Sequence, residues 1–343
     1  MIPEDVIVGN SIEKLDLSID NTLFVLLAGT TEVSLRPGLT AAGASPEATR
    51  LTPTVDSEIV GEGRCLSMSE PPMTPEGIPT PAIVSKAILT LTGLKYIIVN
   101  GGFSFRPKTD YLETNIVPSK DPSKERAIVD AEKVMESGYR LGKILDGKYR
   151  NIMVGESFPG GTTTAYIVLR AMGIKTDTSS SMPVDPELLK KELAEESFRR
   201  KTVDSPLDAA VEYGDNLMIF MIGMSRAVRS SNLILAGGTQ MANVAALIER
   251  INGRSEPIIA TTSWVYSHRS KLFRDLGLER RTIVSVMNFG EMRNIGLRYY
   301  DQGHVREGVG MGGLYAVARL VGYTKEAINS SIDSFYSSFL KTE

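Results

Sequence analysis

Residues 151–164 read NIMVGESFPGGTTT, an apolar run that ends in glycines and leads into a segment with helical spacing. The same order returns at residues 232–247 and, with an acid inside the loop, at residues 304–317. A strand that passes through glycines to the start of a helix exposes backbone N–H groups at the positive end of the helix dipole, where phosphate and other anions bind. The sequence therefore predicts anion-binding loops at strand ends.

Six short apolar runs with the composition of β-strands are separated by segments of helical spacing. The runs are residues 22–27, 96–100, 151–154, 232–235, 257–261 and 282–286. The helical segments include residues 124–145, 163–171, 206–228 and 239–251. Nearly all-apolar strands that alternate with helices are typical of a parallel sheet covered on both faces. We therefore predict an α/β protein with a doubly wound, mostly parallel six-stranded sheet.

The pattern changes after Gly303, where the sequence predicts helices and no further strand. Two helices are expected at residues 309–321 and 325–340, with a turn at Gly322 and Thr324 as the N-cap of the second helix. These two helices predict a small helical appendage packed against the strand ends.

We expect two domains. Residues 18–302 are predicted to form a Rossmann-like α/β catalytic domain. Residues 303–343 are predicted to form the C-terminal helical segment, and residues 1–17 are expected to pack with it as a small domain.

A separate feature is the proline-rich stretch 71–81, which cannot be a helix interior or a central strand. It predicts a loop of fixed shape, either at the ligand site or as a plain surface connection.

Composition excludes several classes of protein. Hydrophobic residues make up 42% and charged residues 23% of the chain, as in ordinary globular proteins. The formal net charge is −3, and the 38 basic residues are scattered along the chain, which argues against a nucleic-acid partner. The longest apolar stretch, residues 217–224, is far shorter than the roughly 20 residues of a membrane-spanning helix. We expect no membrane association.

Cysteine and histidine are scarce. Cys65 is the single cysteine, so no intrachain disulfide and no cysteine-based metal cluster can form. His268 and His304 are too few and too far apart in sequence to indicate a metal site. The N-terminal residues show no basic and apolar regions of a signal peptide, which favours a cytoplasmic protein. We expect neither a metal nor a cofactor.

Two glycine-rich segments are the predicted phosphate and ribose contacts, because glycine lets the backbone approach a ligand and threonine hydroxyls can donate to it. Neither segment is a P-loop, since no lysine follows the glycines, and neither carries the paired acids that hold magnesium on a pyrophosphate. A tight strand-to-helix turn is the alternative interpretation of each. We call them the glycine turns; their candidate residues are Gly160, Gly161, Thr162 and Thr163 in the first and Gly237, Gly238 and Thr239 in the second.

The third glycine-rich loop carries Glu307 beside Gly308 and Gly310, and these two glycines are also candidate phosphate or ribose contacts. The spacing of its glycines does not match a dinucleotide-binding motif. A carboxylate among glycines can be a catalytic base that faces a ligand, or simply an acid at the start of a helix that favours the helix dipole. We also consider His268 as a residue near a bound phosphate.

At these positions the chain resembles the nicotinate-nucleotide:dimethylbenzimidazole phosphoribosyltransferases, in particular a divergent archaeal-type branch. Gly155-Glu156 followed by residues 160–163 is similar to the family's Gly-Glu and Gly-Asn-Thr-Thr, and residues 307–310 are similar to its Glu-Gly-Thr-Gly. Residues 38–49 look like a shortened base-binding segment, with Ser45 and Glu47 as its candidate residues. Gly161 stands where the family has Asn, residues 236–239 replace an Asp-Gly-Phe turn, and an aromatic residue and a Gln are missing at residues 45–46.

The resemblance implies a homodimer that transfers phosphoribose from nicotinate mononucleotide to a benzimidazole or related base. The products would be nicotinate and an α-ribotide for the lower ligand of a cobamide. It also implies that Glu307 is the general base, and Glu156 would orient a ribose hydroxyl or support Glu307. Two alternatives remain: a nucleotide phosphatase or nucleosidase on the same fold, and a non-catalytic binding protein of cobamide metabolism.

Overall fold

The computed structural model of the chain describes residues 2–12, 15–43, 45–69, 72–74, 76–253 and 256–341. Seven strands in this part of the chain form a single sheet. They are β1 (Val6–Val8), β2 (Thr22–Ala28), β3 (Tyr96–Asn100), β4 (Asn151–Ser157), β5 (Asn232–Ala236), β6 (Ile258–Thr262) and β7 (Thr282–Ser285).

The strand order is β1-β7-β6-β5-β4-β2-β3, and all neighbours pair in parallel except β1 with β7. The predicted mostly parallel α/β sheet is confirmed, and each of the six predicted strands is present. The predicted strand number was wrong, because β1 adds a seventh, antiparallel strand at the edge. With three residues, β1 is too short to show a periodicity in the sequence.

The helices, in chain order, cover both faces of the sheet. They are α1 (Pro46–Glu62), α2 (Pro81–Thr92), α3 (Ala131–Leu145), α4 (Gly161–Ala171), α5 (Glu187–Arg200), α6 (Pro206–Tyr213), α7 (Asn216–Ala227), α8 (Thr239–Asn252), α9 (Ser263–Asp275), α10 (Ile295–Arg298), α11 (Met311–Leu320) and α12 (Lys325–Phe339).

Alternate residues of β2 point into two hydrophobic cores, which is the geometry of a doubly wound fold. Val25 and Leu27 lie in the core beneath α3, α4, α7 and α8. Phe24 and Leu26 lie in the opposite core, beneath α1, α2, α11 and α12. Both faces of the strand are therefore buried, and this explains why its sequence is continuously apolar.

Two of the predicted helices have different limits. The segment 206–228 forms two helices, because the chain breaks at Gly214 and Asp215 then caps α7 by accepting a hydrogen bond from the Met218 amide. The segment 124–145 becomes helical only at α3, where the Asp130 side chain accepts from the Lys133 amide. Both breaks use acidic N-caps, which satisfy amides that have no partner within the helix.

The two C-terminal helices were predicted with errors of one or two residues. Gly322 forms the turn with a φ of 106°, and the Thr324 side chain caps α12. Helix α11 begins at the ends of β5 and β6 and packs on the sheet, whereas α12 packs on α2. The N-terminal segment reaches α11 through Asp5, whose carboxylate accepts from Tyr315 Oη at 2.7 Å. The division into two domains stays a prediction.

Candidate functional site

A cavity of about 560 Å³ lies at the carboxyl ends of the central strands, where open α/β sheets bind ligands. Its walls come from separate parts of the chain, which the fold brings to one edge of the sheet. They include the start of α1, the loop before α2, the first glycine turn, the serine-rich residues 179–181, and the loop 305–309. Residues 40–43, Met68, Gly238, Gln240 and Val265 also line the cavity.

The structure brings most of the sequence-predicted residues to this cavity. Those that line it are Ser45, Glu156, Gly160, Gly161, Thr162, Gly238, Glu307 and Gly308. The other candidates lie just outside it. Thr163 and Thr239 are fully buried, Gly237 packs on Met241, Gly310 packs on Phe24, and Glu47 is exposed on the first turn of α1.

Glu307 is held at the cavity by the backbone of its own loop. Its Oε1 accepts hydrogen bonds from the amides of Gly308 at 3.1 Å and Gly312 at 3.2 Å. Its Oε2 is shielded from solvent, and the Thr262 backbone amide lies close enough to favour the ionised carboxyl. Burial raises the pKa of this carboxyl to about 8, and the negative charge of Glu156 adds to the shift. Glu307 thus lies in the cavity wall with a carboxyl group whose pKa is raised towards neutral pH.

Glu156 is the second acid of the cavity and lies at the end of β4. Its Oε2 accepts from the Phe158 amide at 3.0 Å. Burial, together with repulsion by Asp215 and Asp56, raises the pKa of Glu156 to about 7. Two carboxyl groups with raised pKa values in one cavity favour a function in proton transfer over a purely structural one.

The loop that carries Glu307 is fastened to β4. The Val309 amide donates to the Glu156 carbonyl at 2.9 Å, and Gly155 and Gly310 pack so closely that a Cβ on Gly155 would lie 3.1 Å from the Gly310 Cα. Val309 has a φ of 52° and Val305 a φ of 48°, in the left-handed region that β-branched residues rarely adopt. Each such residue costs about 1–3 kcal/mol, and strain of this kind clusters at functional sites.

Asp56 is a cavity residue that the sequence did not reveal. Its carboxylate accepts from Ser157 Oγ and from Thr80 Oγ1, both at 2.6 Å, and burial raises its pKa to about 6. It lies on α1, a helix that was not predicted because Pro53 interrupts its sequence pattern. Without that helix, nothing in the sequence places Asp56 beside β4.

The loop before α2 contributes to the cavity, which decides between the two interpretations of the proline-rich stretch. Residues 72–74 and 78–81 line the cavity, and Thr80 at its end caps α2. Pro71 and Pro75 lie outside the described residues, as does Ala44 of the predicted base-binding segment.

Two buried cations lie behind the serine-rich wall at residues 179–181. Arg306 donates to the carbonyls of Ser180 and Met182, each at 3.0 Å, and Lys190 donates to the Ser179 carbonyl at 2.7 Å. Because both cations bind the backbone of this wall, they fix its shape, while Asp185, 3.5 Å from Arg306 Nη1, balances part of their charge. No sequence pattern indicated this wall, since its residues precede α5 in a segment without periodicity.

Neither histidine lies in the cavity wall. His268 Nε2 lies 2.7 Å from Asp185 Oδ2, and the ring of His304 packs edge-on against Tyr299. Among the residues that the structure describes, no group of three or more histidine, cysteine or acidic side chains is arranged to hold a metal ion. In the same part of the chain, no helix is long and apolar enough to cross a membrane.

Comparison with solved structures identifies the fold. CobT from Thermus thermophilus superposes with a TM-score of 0.62, covering 92% of this chain and 84% of that chain at 15% identity. A nicotinate-nucleotide-dimethylbenzimidazole phosphoribosyltransferase structure from the same organism gives a TM-score of 0.54 over 94% of this chain and 86% of that chain, at 13% identity. The predicted resemblance is confirmed at the level of the fold.

Comparison of sequences identifies much nearer relatives. A UPF0284 protein of Thermoplasma acidophilum is 68% identical over 99% of this chain and 100% of its own length. One from Thermoplasma volcanium is 55% identical over 98% and 100%, and one from Saccharolobus solfataricus is 36% identical over 92% of each chain. No protein-family model matches the chain. From the identity and coverage of these relatives, the chain belongs to the UPF0284 protein family, built on the fold of the nicotinate-nucleotide-dimethylbenzimidazole phosphoribosyltransferases.

Proposed function

We propose that this chain transfers phosphoribose from nicotinate mononucleotide to a benzimidazole-type base and releases nicotinate. The observation that carries the proposal is the position of Glu307. Its carboxyl group lies in the wall of the cavity that both glycine turns also line, and burial raises its pKa to about 8. A proton acceptor beside two anion-binding turns suits a reaction that removes one proton next to a sugar phosphate.

The phosphate is proposed to bind at the starts of α4 and α8. The backbone of Gly160, Gly161 and Thr162 opens α4, and Gly238 is the N-cap residue of α8. Amides at both starts have no partner inside their helices, and both helix dipoles place positive charge there. Arg306 and Lys190 lie behind the adjacent wall, where Asp185 balances part of their charge. These groups are fixed before the ligand arrives, so little reorganisation is needed on binding.

The acceptor base is proposed to lie along α1. Ser45, Ala48, Thr52 and Asp56 all line the cavity, and their spacing of three or four residues places them on one face of the helix. Met68 and Met73 also line it, and methionine adapts readily to flat apolar rings. Glu47 lies on the exposed side of α1 and is not part of this proposed pocket.

The chemistry needs one proton acceptor and good orientation. In nicotinate mononucleotide the pyridinium ring is already a good leaving group, because its departure with the bonding electrons neutralises the ring nitrogen. A ring nitrogen of the base forms a new bond to the anomeric carbon from the opposite face, which inverts that carbon and gives an α-ribotide. Glu307 accepts the proton that this nitrogen loses. Glu156 orients a ribose hydroxyl or supports the charge of Glu307.

A mass-spectrometric screen tests the proposal. The purified protein is incubated with nicotinate mononucleotide and a panel of azole and purine bases, one base at a time. We expect a single α-ribotide with at least one azole base, together with an equal amount of nicotinate. Ribose phosphate in place of a ribotide would identify a nucleosidase, nicotinate riboside would identify a phosphatase, and unchanged nucleotide throughout would favour a binding protein.

A further inference from the structure

Gln240 reaches across the start of α4 from the neighbouring helix. It lies on the first turn of α8, and both Gln240 and Gly161 line the cavity. A Cβ on Gly161 would lie only 2.0 Å from Gln240 Oε1 and 2.3 Å from its Nε2. The backbone of Gly161 is not in the left-handed region, so the Gln240 carboxamide is what excludes a side chain from position 161.

Asp215 fixes the orientation of this carboxamide. Gln240 Nε2 donates to Asp215 Oδ2 at 2.7 Å, and Thr164 Oγ1 donates to the same oxygen at 2.5 Å. Asp215 is fully buried and also caps α7, so the carboxylate itself is held in place. An ionised carboxylate only accepts hydrogen bonds, so the amide nitrogen must face Asp215 and the oxygen must lie on the other side.

The sequence of the first glycine turn agrees with this geometry. Gly161 stands where the resembling family's motif has Asn, and the space beside Gly161 contains the Gln240 carboxamide. The Gln240 carboxamide thus occupies the space that a side chain at position 161 would need.

Resting on the proposed function, we infer that Gln240 Oε1 accepts a hydrogen bond from a ribose hydroxyl of the bound nucleotide. The ligand groups near the glycine turns offer few alternatives. A phosphate has no donor at neutral pH, the pyridinium ring of the nucleotide has no N–H, and the N–H of the acceptor base is assigned to Glu307. The ribose hydroxyls are the remaining donors that an amide oxygen can bind.

Deoxy analogues of the nucleotide test this assignment. We would measure kcat/KM and calorimetric Kd for nicotinate mononucleotide and for its 2′-deoxy and 3′-deoxy forms, with wild-type protein and with Gln240→Leu. Wild type should bind at least one analogue about 10- to 100-fold more weakly than the parent, the range for one unsatisfied buried group. Gln240→Leu should bind that analogue and the parent equally. Full discrimination retained in Gln240→Leu would overturn the inference.

A reciprocal pair of variants provides a second test. Gly161→Asn alone should lower kcat/KM at least about 100-fold, because its side chain collides with Gln240. Gly161→Asn combined with Gln240→Ala should recover at least tenfold of this loss, since the amide returns from the other position. A double variant with the same kcat/KM as Gly161→Asn alone would show that an amide at position 161 does not replace the one at position 240. Gln302→Ala, at an exposed site, is the matched control.

These outcomes separate the inference from the proposed function. If wild type consumes no base, the proposed transferase activity fails, while the calorimetric Kd values still report on the hydroxyl contact. Equal Kd values of all three nucleotides for wild type would overturn the contact itself, whatever the activity.

Discussion

Glu307 and Gly238 are neighbours in the cavity wall, so close that a Cβ on Gly238 would lie 3.6 Å from the Glu307 Cβ. They come from different loops, one before α11 and one before α8. The contact is possible because the strand ends of a parallel sheet meet at one edge. It places a carboxyl group with a raised pKa directly beside an anion-binding turn, which is the relationship that the proposed reaction needs.

Glu307→Gln should lower kcat about 10²- to 10⁴-fold, the range for loss of a general base, while the Kd of nicotinate mononucleotide changes little. Glutamine keeps the size and the acceptor oxygen for the Gly308 and Gly312 amides but cannot take up the proton. Steady-state kinetics and calorimetry measure the two quantities. Glu291→Gln, at an exposed position, is the control. Near-wild-type turnover in Glu307→Gln would remove the assignment.

Gly238→Ala should weaken nucleotide binding without disturbing the fold. The nearest atoms to a Cβ at this position are 3.6 Å away, so the methyl group fits in the free protein but occupies space beside the turn. We expect a rise in Kd of about tenfold or more, which corresponds to about 1.4 kcal/mol. Gly290→Ala, at an exposed glycine, is the matched control. An unchanged Kd for Gly238→Ala would argue against a phosphoribose at the second glycine turn.

The pH dependence of the reaction should follow the ionisation of Glu307. Only the ionised form accepts a proton, and the pKa of this group is raised to about 8, so kcat/KM should increase with pH, with its midpoint near that value and a plateau above it. Repulsion by Glu156 contributes to the raised pKa of Glu307. Glu156→Gln should therefore move the midpoint to lower pH. A midpoint that stays in place, or moves to higher pH, would show that the titrating group is another residue.

The same ionisation should reduce stability as pH rises. Folding raises the pKa of Glu307 from 4.5 to about 8, so between these values the folded protein holds a proton that the unfolded chain releases. Raising the pH through this window lowers the free energy of unfolding. Glu307→Gln removes this effect. The free energy of unfolding of the variant should exceed that of wild type at pH 8 by about 1 kcal/mol or more, and by less at pH 5. Urea unfolding at both pH values measures the difference, and equal stabilities at pH 8 would contradict it.

The sequence was sufficient for the six parallel strands of the sheet and for the acid at its edge, because continuous apolar strands and glycine-rich loops are local signals. It was insufficient for Asp56 and Gln240. Asp56 lies on a helix that contains Pro53, and its partners Ser157 and Thr80 are distant in sequence. The position of Gln240 becomes meaningful only once α8 is packed beside Gly161. Contacts of this kind depend on how elements pack, which single-sequence patterns do not contain.

The most direct test of the proposed reaction is whether nicotinate release depends on an acceptor base. Wild-type protein is incubated with nicotinate mononucleotide, with and without dimethylbenzimidazole, and nicotinate is measured over time beside Glu307→Gln. We predict release by wild type only when the base is present, and strongly reduced release by Glu307→Gln. Release at the same rate without any base, or equal rates for both proteins, would contradict the assignment of Glu307 as the general base of a transferase.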